Sequence, residues 1–263
     1  MKAPMNRHFF KSEWQCWFSI YGWILAVIFS SCSKQSVVVT PTESAYLSIT
    51  HAAPKVPTLQ IFMDDKPLPL TDSLRFGTTT VYTSLTNPYL PVKKGNRKVE
   101  IGFSPEEAPA ISFNEYFEAG KAYSLFVLDT LKYARLKYVL LKDDFKKSMP
   151  SGQSGLRFLN LSPNAPPLDL YIVQWRTRDT IKIAGFRRYP AYDFNTIYSD
   201  QQFAYFPPGD YWMEARESGS GSVILKGGLT IEEKKLVTIY TKGWYGAIGA
   251  YRLNVGIIEY LQE

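Results

Sequence analysis

Cysteine and histidine are scarce, with two of each in 263 residues. Cys16 lies in an N-terminal apolar segment. A chain cut before Cys32 therefore keeps a single cysteine and can form no intramolecular disulfide. His51 is the only histidine after His8. A Ser-His-Asp triad, a Cys-His dyad and a Cys/His zinc site are each short of components on this inventory. No glycine-rich phosphate loop follows a strand and opens a helix. No sustained amphipathic helical spacing occurs after residue 32. A clustered basic stripe is missing as well. Of the 30 basic and 24 acidic residues, Lys2, Arg7, Lys11 and Glu13 precede Cys32, which leaves a net charge of +4 spread among both signs. Nucleic-acid binding is not expected from such a surface. Neither a cofactor nor an enzymatic activity is expected.

The N-terminus carries an address. Residues 1–13 are basic on balance, and Trp17 to Phe29 is an apolar run of 13 residues, short for a bilayer span. Phe29-Ser30-Ser31-Cys32 follows. A basic region, a short apolar run and small residues before a cleavage point make a secretory signal. Cys32 at the junction resembles the lipid-modified cysteine of bacterial lipoproteins, with Phe29 where leucine is usual. That resemblance implies lipidation of Cys32 and cleavage before it. The expected layout is a signal peptide over 1–31 and a tether over 32–44. The protein is then exported to the cell envelope and held on the outer membrane, on its periplasmic or surface face.

Aromatic residues are abundant, at 15% of the chain. They suit strands, whose pleated surfaces pack flat side chains. One segment occurs twice. His51-Ala-Ala-Pro54-Lys-Val-Pro57-Thr-Leu59-Gln-Ile61-Phe62 returns as Asn160-Leu-Ser-Pro163-Asn-Ala-Pro166-Pro-Leu168-Asp-Leu170-Tyr171, offset by 109 positions. Each copy follows an alternating strand and leads into another. Strands are expected over 46–51, 59–63, 97–101, 122–128 and 135–141, and again over 156–160, 168–172, 210–215, 233–240 and 251–259. Lys142 to Ser154 is charged and then rich in Pro, Gly and Ser, which is linker chemistry. The reading is all-β: two tandem immunoglobulin-like β-sandwiches over 45–143 and 155–263, joined by a linker at 144–154.

The repeated Pro-x-x-Pro segment, its flanking strands and the later Pro-x-Gly turn resemble the domain of unknown function 4397 family, in both copies. The whole chain looks like a Bacteroidota lipoprotein of that kind. Such domains are found in secreted and lipid-anchored bacterial proteins, often as tandem copies. The resemblance implies fold and location and brings no activity with it. The first copy departs from the pattern with a longer turn at Val92-Lys93-Lys94, and the second with a long insert from Trp175 to Asp193.

Candidate chemistry is thin. His51 and Asn160 are equivalent and read as caps of the Pro turn. Glu100 and Glu214 are equivalent and read as solvated strand residues. The aromatic excess is the stronger signal. Trp212 shares its strand face with Glu214, Trp244 and Tyr245 sit in a Gly-flanked loop, and Trp175 opens the insert holding Arg187, Arg188 and Tyr189. Exposed rings beside polar groups suit sugar and protein recognition. The expected function is non-catalytic binding or adhesion at the envelope, to a glycan or an envelope protein. The alternative is a structural or accessory subunit of an outer-membrane assembly, with these rings buried against a partner.

Overall fold

Alternation of apolar and polar residues builds most strands of this protein, and the nearly unbroken apolar run Ala122–Leu128 builds one that is buried throughout. The structure is a computed structural model and describes residues 43–70, 74–80, 88–129, 136–143, 149–183, 185–186, 197–198 and 203–261. The first half holds β1 Ser44–His51, β2 Gln60–Met63, β3 Lys66–Pro67, β4 Leu90–Lys93, β5 Gly95–Gly102, β6 Ile111–Phe117, β7 Ala122–Leu128 and β8 Lys137–Asp143. An outer sheet has the order β3-β2-β5-β6, and an inner sheet contains β8-β7-β1-β4. β1 and β7 run parallel, whereas β1–β4 and β7–β8 are antiparallel.

The second half holds β9 Ser154–Asn160, β10 Leu168–Gln174, β11 Thr180–Ile183, β12 Gly185–Phe186, β13 Ile197–Tyr198, β14 Ala204–Phe206, β15 Gly209–Glu217, β16 Val223–Ile231, β17 Lys235–Lys242 and β18 Asn254–Leu261. Its outer sheet is β11-β10-β15-β16. In its inner sheet β9 pairs parallel with β17 and antiparallel with β14, and β17 pairs with β18. Each of these pairings has a counterpart in the first half. β12 adds to β9, and β13 adds to β8, opposite Leu140 and Leu141 in the other half.

Two long strands escape the sequence reading, along with the short β3, β4 and β11 to β14. β6 alternates only weakly, with both ends buried and a polar middle. β16 is interrupted by Gly227-Gly228, which reads as a turn. The insert is also placed differently. β11 pairs with β10 as β3 pairs with β2, so the extra segment begins after Ile183.

Among the described residues, three cores separate four sheets. On β7, Tyr123, Leu125 and Val127 enter the core beneath the first outer sheet. The alternate residues Ala122, Phe126 and Leu128 enter a middle core with Leu159, Leu161, Leu236, Tyr240, Ile258 and Tyr260 of the second half. Leu156, Phe158, Val237 and Ile239 face the second outer sheet. The inner strands β1, β7, β9 and β17 are thus buried on both faces, and all seven residues of β7 and of β9 are buried. The two inner sheets pack face to face across the middle core. Residues Val39–Glu263 form one compact unit.

The two Pro turns use different side chains for one task. Asn160 Nδ2 donates to the Pro166 carbonyl at 3.0 Å, and His51 Nε2 meets the Pro57 carbonyl at 3.0 Å. A carbonyl only accepts, so Nε2 carries the proton. Nδ1 then accepts from the Ala53 N–H at 3.3 Å. Burial lowers the His51 pKa, against the opposing pull of the Pro57 and Val56 carbonyls. The unfolded chain therefore takes a proton near pH 6.5 that the folded chain refuses. Stability is full above that pH and declines as pH falls below it. His51→Asn, the residue used at 160, should flatten the decline in melting temperature between about pH 6.5 and 5. A native chain that already melts at one temperature across that window would refute this role.

Candidate functional site

The outward face of the second outer sheet is a lattice of rings and charges set by strand register. Trp212, Glu214 and Arg216 follow one another on one face of β15, as alternation requires. Across the sheet, Glu214 lies opposite Tyr171 on β10 and Lys226 on β16, and Trp212 lies opposite Val173 and Gly228. Tyr171 in turn lies opposite Lys182 on β11.

Trp175, just beyond β10, is fixed by its N–H to the Asp210 carbonyl at 3.2 Å. Its ring stacks on Trp212 with centroids 5.1 Å apart and planes 24° from parallel. Gly228 lies beneath the pair, where a Cβ would meet the Trp175 ring at 3.9 Å, an ordinary packing distance. Trp175 remains 45% exposed.

The charges around the pair are held in place. Glu214 accepts from Arg216 Nη2 at 2.6 Å and from Lys226 Nζ at 2.9 Å. The hydrogen bonds of Lys226 and then Arg216 hold the Glu214 carboxyl below its usual range. Contrary to the expectation of a solvated residue, Glu214 is only 7% exposed, because those two side chains lie over it. Lys226 Nζ stands 5.4 Å from the Trp212 ring, and the Arg216 guanidinium 4.7 Å from the Tyr171 ring. Lys182 pairs with Asp169 at 3.1 Å. This face offers flat rings bordered by fixed cationic donors. Its carboxylates are already engaged. In the first half the position of Trp212 is taken by Lys98, which pairs with Glu100 and Asp65.

The candidate residues are therefore divided. Trp175 and Trp212 come together. Trp244 and Tyr245 lie on the β17–β18 loop of the inner sheet, where Trp244 sits beneath Lys55 of the first half, 4.9 Å from ring centroid to Nζ. Cys32, Arg187, Arg188 and Tyr189 lie outside the described residues. Sequence reasoning missed Tyr171, Lys182, Arg216, Lys226 and Gly228. They join the site through register, and no local signal marks them.

The first half has an open groove of about 440 Å³ lined by Leu59, Ile61, Phe62, Leu68, Leu70 and Pro105 among others, with no titratable side chain among the described residues that line it. Among the described residues, no three His, Cys, Asp or Glu side chains converge as a metal site, and no helix is long and apolar enough to cross a membrane.

These features define an all-β, sandwich-like protein with a ring-and-charge face. Residues 45–171 match the family model "Domain of unknown function (DUF4397)", from β1 through the first half and into β10. No curated protein matches the chain. Among solved structures the chain is similar to the Bacillus anthracis TIE protein, at 13% identity and a TM-score of 0.21, covering 76% of this chain and 34% of that one. It is similar also to the multi-modular glycogen-degrading pneumococcal virulence factor SpuA, at 13% identity and a TM-score of 0.21, covering 74% of this chain and 20% of that one. The chain thus spans about a third and a fifth of those two proteins. At that identity and score the likeness bears on neither chemistry nor partners.

Proposed function

We propose that this chain is an exported, lipid-anchored protein of the cell envelope that binds glycan without catalysis through its second half. In this reading both halves are immunoglobulin-like repeats of one family, and Cys32 carries the lipid. The observation that carries the binding role is the Trp175–Trp212 pair. Two stacked indoles 5.1 Å apart over a glycine floor present rigid apolar area, which matches the C–H face of a pyranose ring. Lys226 and Arg216 stand at its border to meet hydroxyl or carboxylate oxygens. The accessory-subunit alternative needs a broad apolar patch. Among the described residues, the exposed large apolar side chains are instead dispersed over β6, the β10–β11 turn, β16, β18 and the β17–β18 loop.

Titration with cello-, chito-, xylo- and manno-oligosaccharides tests the reading. Trp175→Ala should weaken whichever interaction is found about tenfold or more, as loss of a central aromatic anchor does. Equal binding by native and Trp175→Ala chains would remove the platform from the function. The anchor is tested separately. Membrane-extracted protein should begin at Cys32 with added acyl mass, and Cys32→Ala should lose that processing. A native chain that retains residues 1–31 would end the lipoprotein reading.

A further inference from the structure

We propose that the β17–β18 loop docks on an anionic lipid bilayer, with Ile248 and Tyr245 entering the headgroup region and Lys55, Arg75 and Arg252 facing lipid phosphates. This surface is distinct from the Trp175–Trp212 face and does not depend on it. From Gly243 to Tyr251 the loop carries no charged side chain, and basic residues, Lys242 and Arg252, flank it. Ile248 is 92% exposed and Tyr245 is 46% exposed.

The exposure is built in. The Trp244 N–H donates to the Tyr251 carbonyl and the Leu253 N–H to the Trp244 carbonyl, both at 2.8 Å. Asn164 clamps the Tyr245 backbone from both sides, donating at 2.9 Å and accepting at 2.8 Å. Gly243, at φ +81°, lets the two arms close, since a Cβ there would lie 2.4 Å from the Arg252 carbonyl oxygen. A loop fastened in this way holds Ile248 out of the core. A loose loop could fold it back.

The surroundings identify the occupant. Lys55 contacts Trp244, Phe76 contacts Tyr251 at 5.4 Å between centroids, Lys242 reaches the Gly77 carbonyl at 3.3 Å, and Asn164 holds Tyr245. The four loops so joined, 52–58, 75–79, 161–167 and 242–253, contain Lys55, Arg75, Lys242 and Arg252 and no Asp or Glu. An apolar tip ringed by cations and aromatic side chains complements an anionic lipid surface. One isoleucine and one tyrosine fall far short of the roughly 800 Å² per partner that a stable protein interface buries. Bilayer contact needs only a few inserted side chains beside basic ones.

Spin labelling of the full chain tests this, with Cys16→Ser and Cys32→Ser so that an introduced cysteine is the only thiol. Nitroxide is placed at Ile248→Cys and, for reference on the β8–β9 connection, at Ser151→Cys. Vesicle-bound protein is isolated by flotation on phosphatidylcholine with and without phosphatidylglycerol. With phosphatidylglycerol the 248 label should lie about 5 Å below the phosphates, reachable by oxygen and shielded from a water-soluble nickel complex, while the 151 label stays aqueous. Lys55→Glu with Arg252→Glu should return the 248 label to water. The proposal is overturned if the 248 label is as open to nickel as the 151 label. It is equally overturned if both reagents are excluded, since that marks a protein contact, or if no protein floats.

Discussion

Asp143→Ala should cost about 3–5 kcal/mol of stability, which for a domain of this size lowers the melting temperature by roughly 10 °C. Arg157 and Asp143 form an ion pair at 2.5 Å between the two inner sheets, with side chains 1% and 0% exposed. Burial by itself would lower the Arg157 pKa, but the attraction of Asp143 outweighs it and the net direction is upward. The remaining capacity is satisfied around the pair. Arg157 Nε donates to Thr238 Oγ1 at 2.8 Å, and Asp143 Oδ2 accepts from Ser124 at 2.6 Å and from Tyr89 at 2.7 Å. Removing Asp143 leaves a buried guanidinium without a counter-charge, and that desolvation sets the magnitude. Replacing both partners should behave differently. Arg157→Met with Asp143→Leu should restore most of the loss, because apolar groups of similar volume incur no such desolvation. Chemical denaturation of the native chain and the two variants decides it. An Asp143→Ala chain within 1 kcal/mol of native would show that water reaches the pair.

How much of this was legible in the sequence depends on which face of a strand is considered. The repeated Pro turn located β1, β2, β9 and β10, and the apolar runs located β7 and β17. Trp212 was correctly placed on the face of Glu214, because alternation within one strand is local. Its partner Trp175, its floor Gly228 and its neighbour Lys226 belong to other strands, and only register brings them together. Gly228 was doubly hidden, since β16 itself reads as a turn. Arg157 shows the larger omission. Alternation in Leu156-Arg157-Phe158 assigns arginine to solvent, yet that face is covered by the other inner sheet. A strand pattern records that a face is polar or apolar. It carries no information about which sheet will lie upon it. Glu214 is the same lesson at the surface: its outward direction was readable, while its burial beneath Arg216 and Lys226 depends on side chains reaching across the sheet.

Phe126→Ala should destabilise the protein by about 3–5 kcal/mol and should loosen one half from the other. Phe126 is 0% exposed and lies in the middle core. Its ring meets Tyr240 of the second half edge-on, with centroids 5.8 Å apart. The deletion leaves the core beneath each outer sheet intact, because Phe126 belongs to neither. The native chain, with all three cores continuous through shared inner strands, should unfold in one cooperative transition. In Phe126→Ala the cavity falls between the halves, so their unfolding should separate and the calorimetric enthalpy should exceed the van't Hoff value. Leu125→Ala is the matched control. Its side chain is also 0% exposed, but it enters the first core. It should lower stability by a comparable 2–5 kcal/mol without the same splitting, because it weakens one half and leaves the contact between halves in place. If both variants melt in single transitions of equal cooperativity, the middle core does not govern the coupling. The Arg157–Asp143 network, with Tyr89 and Tyr260 beside it, would then be what holds the two inner sheets together.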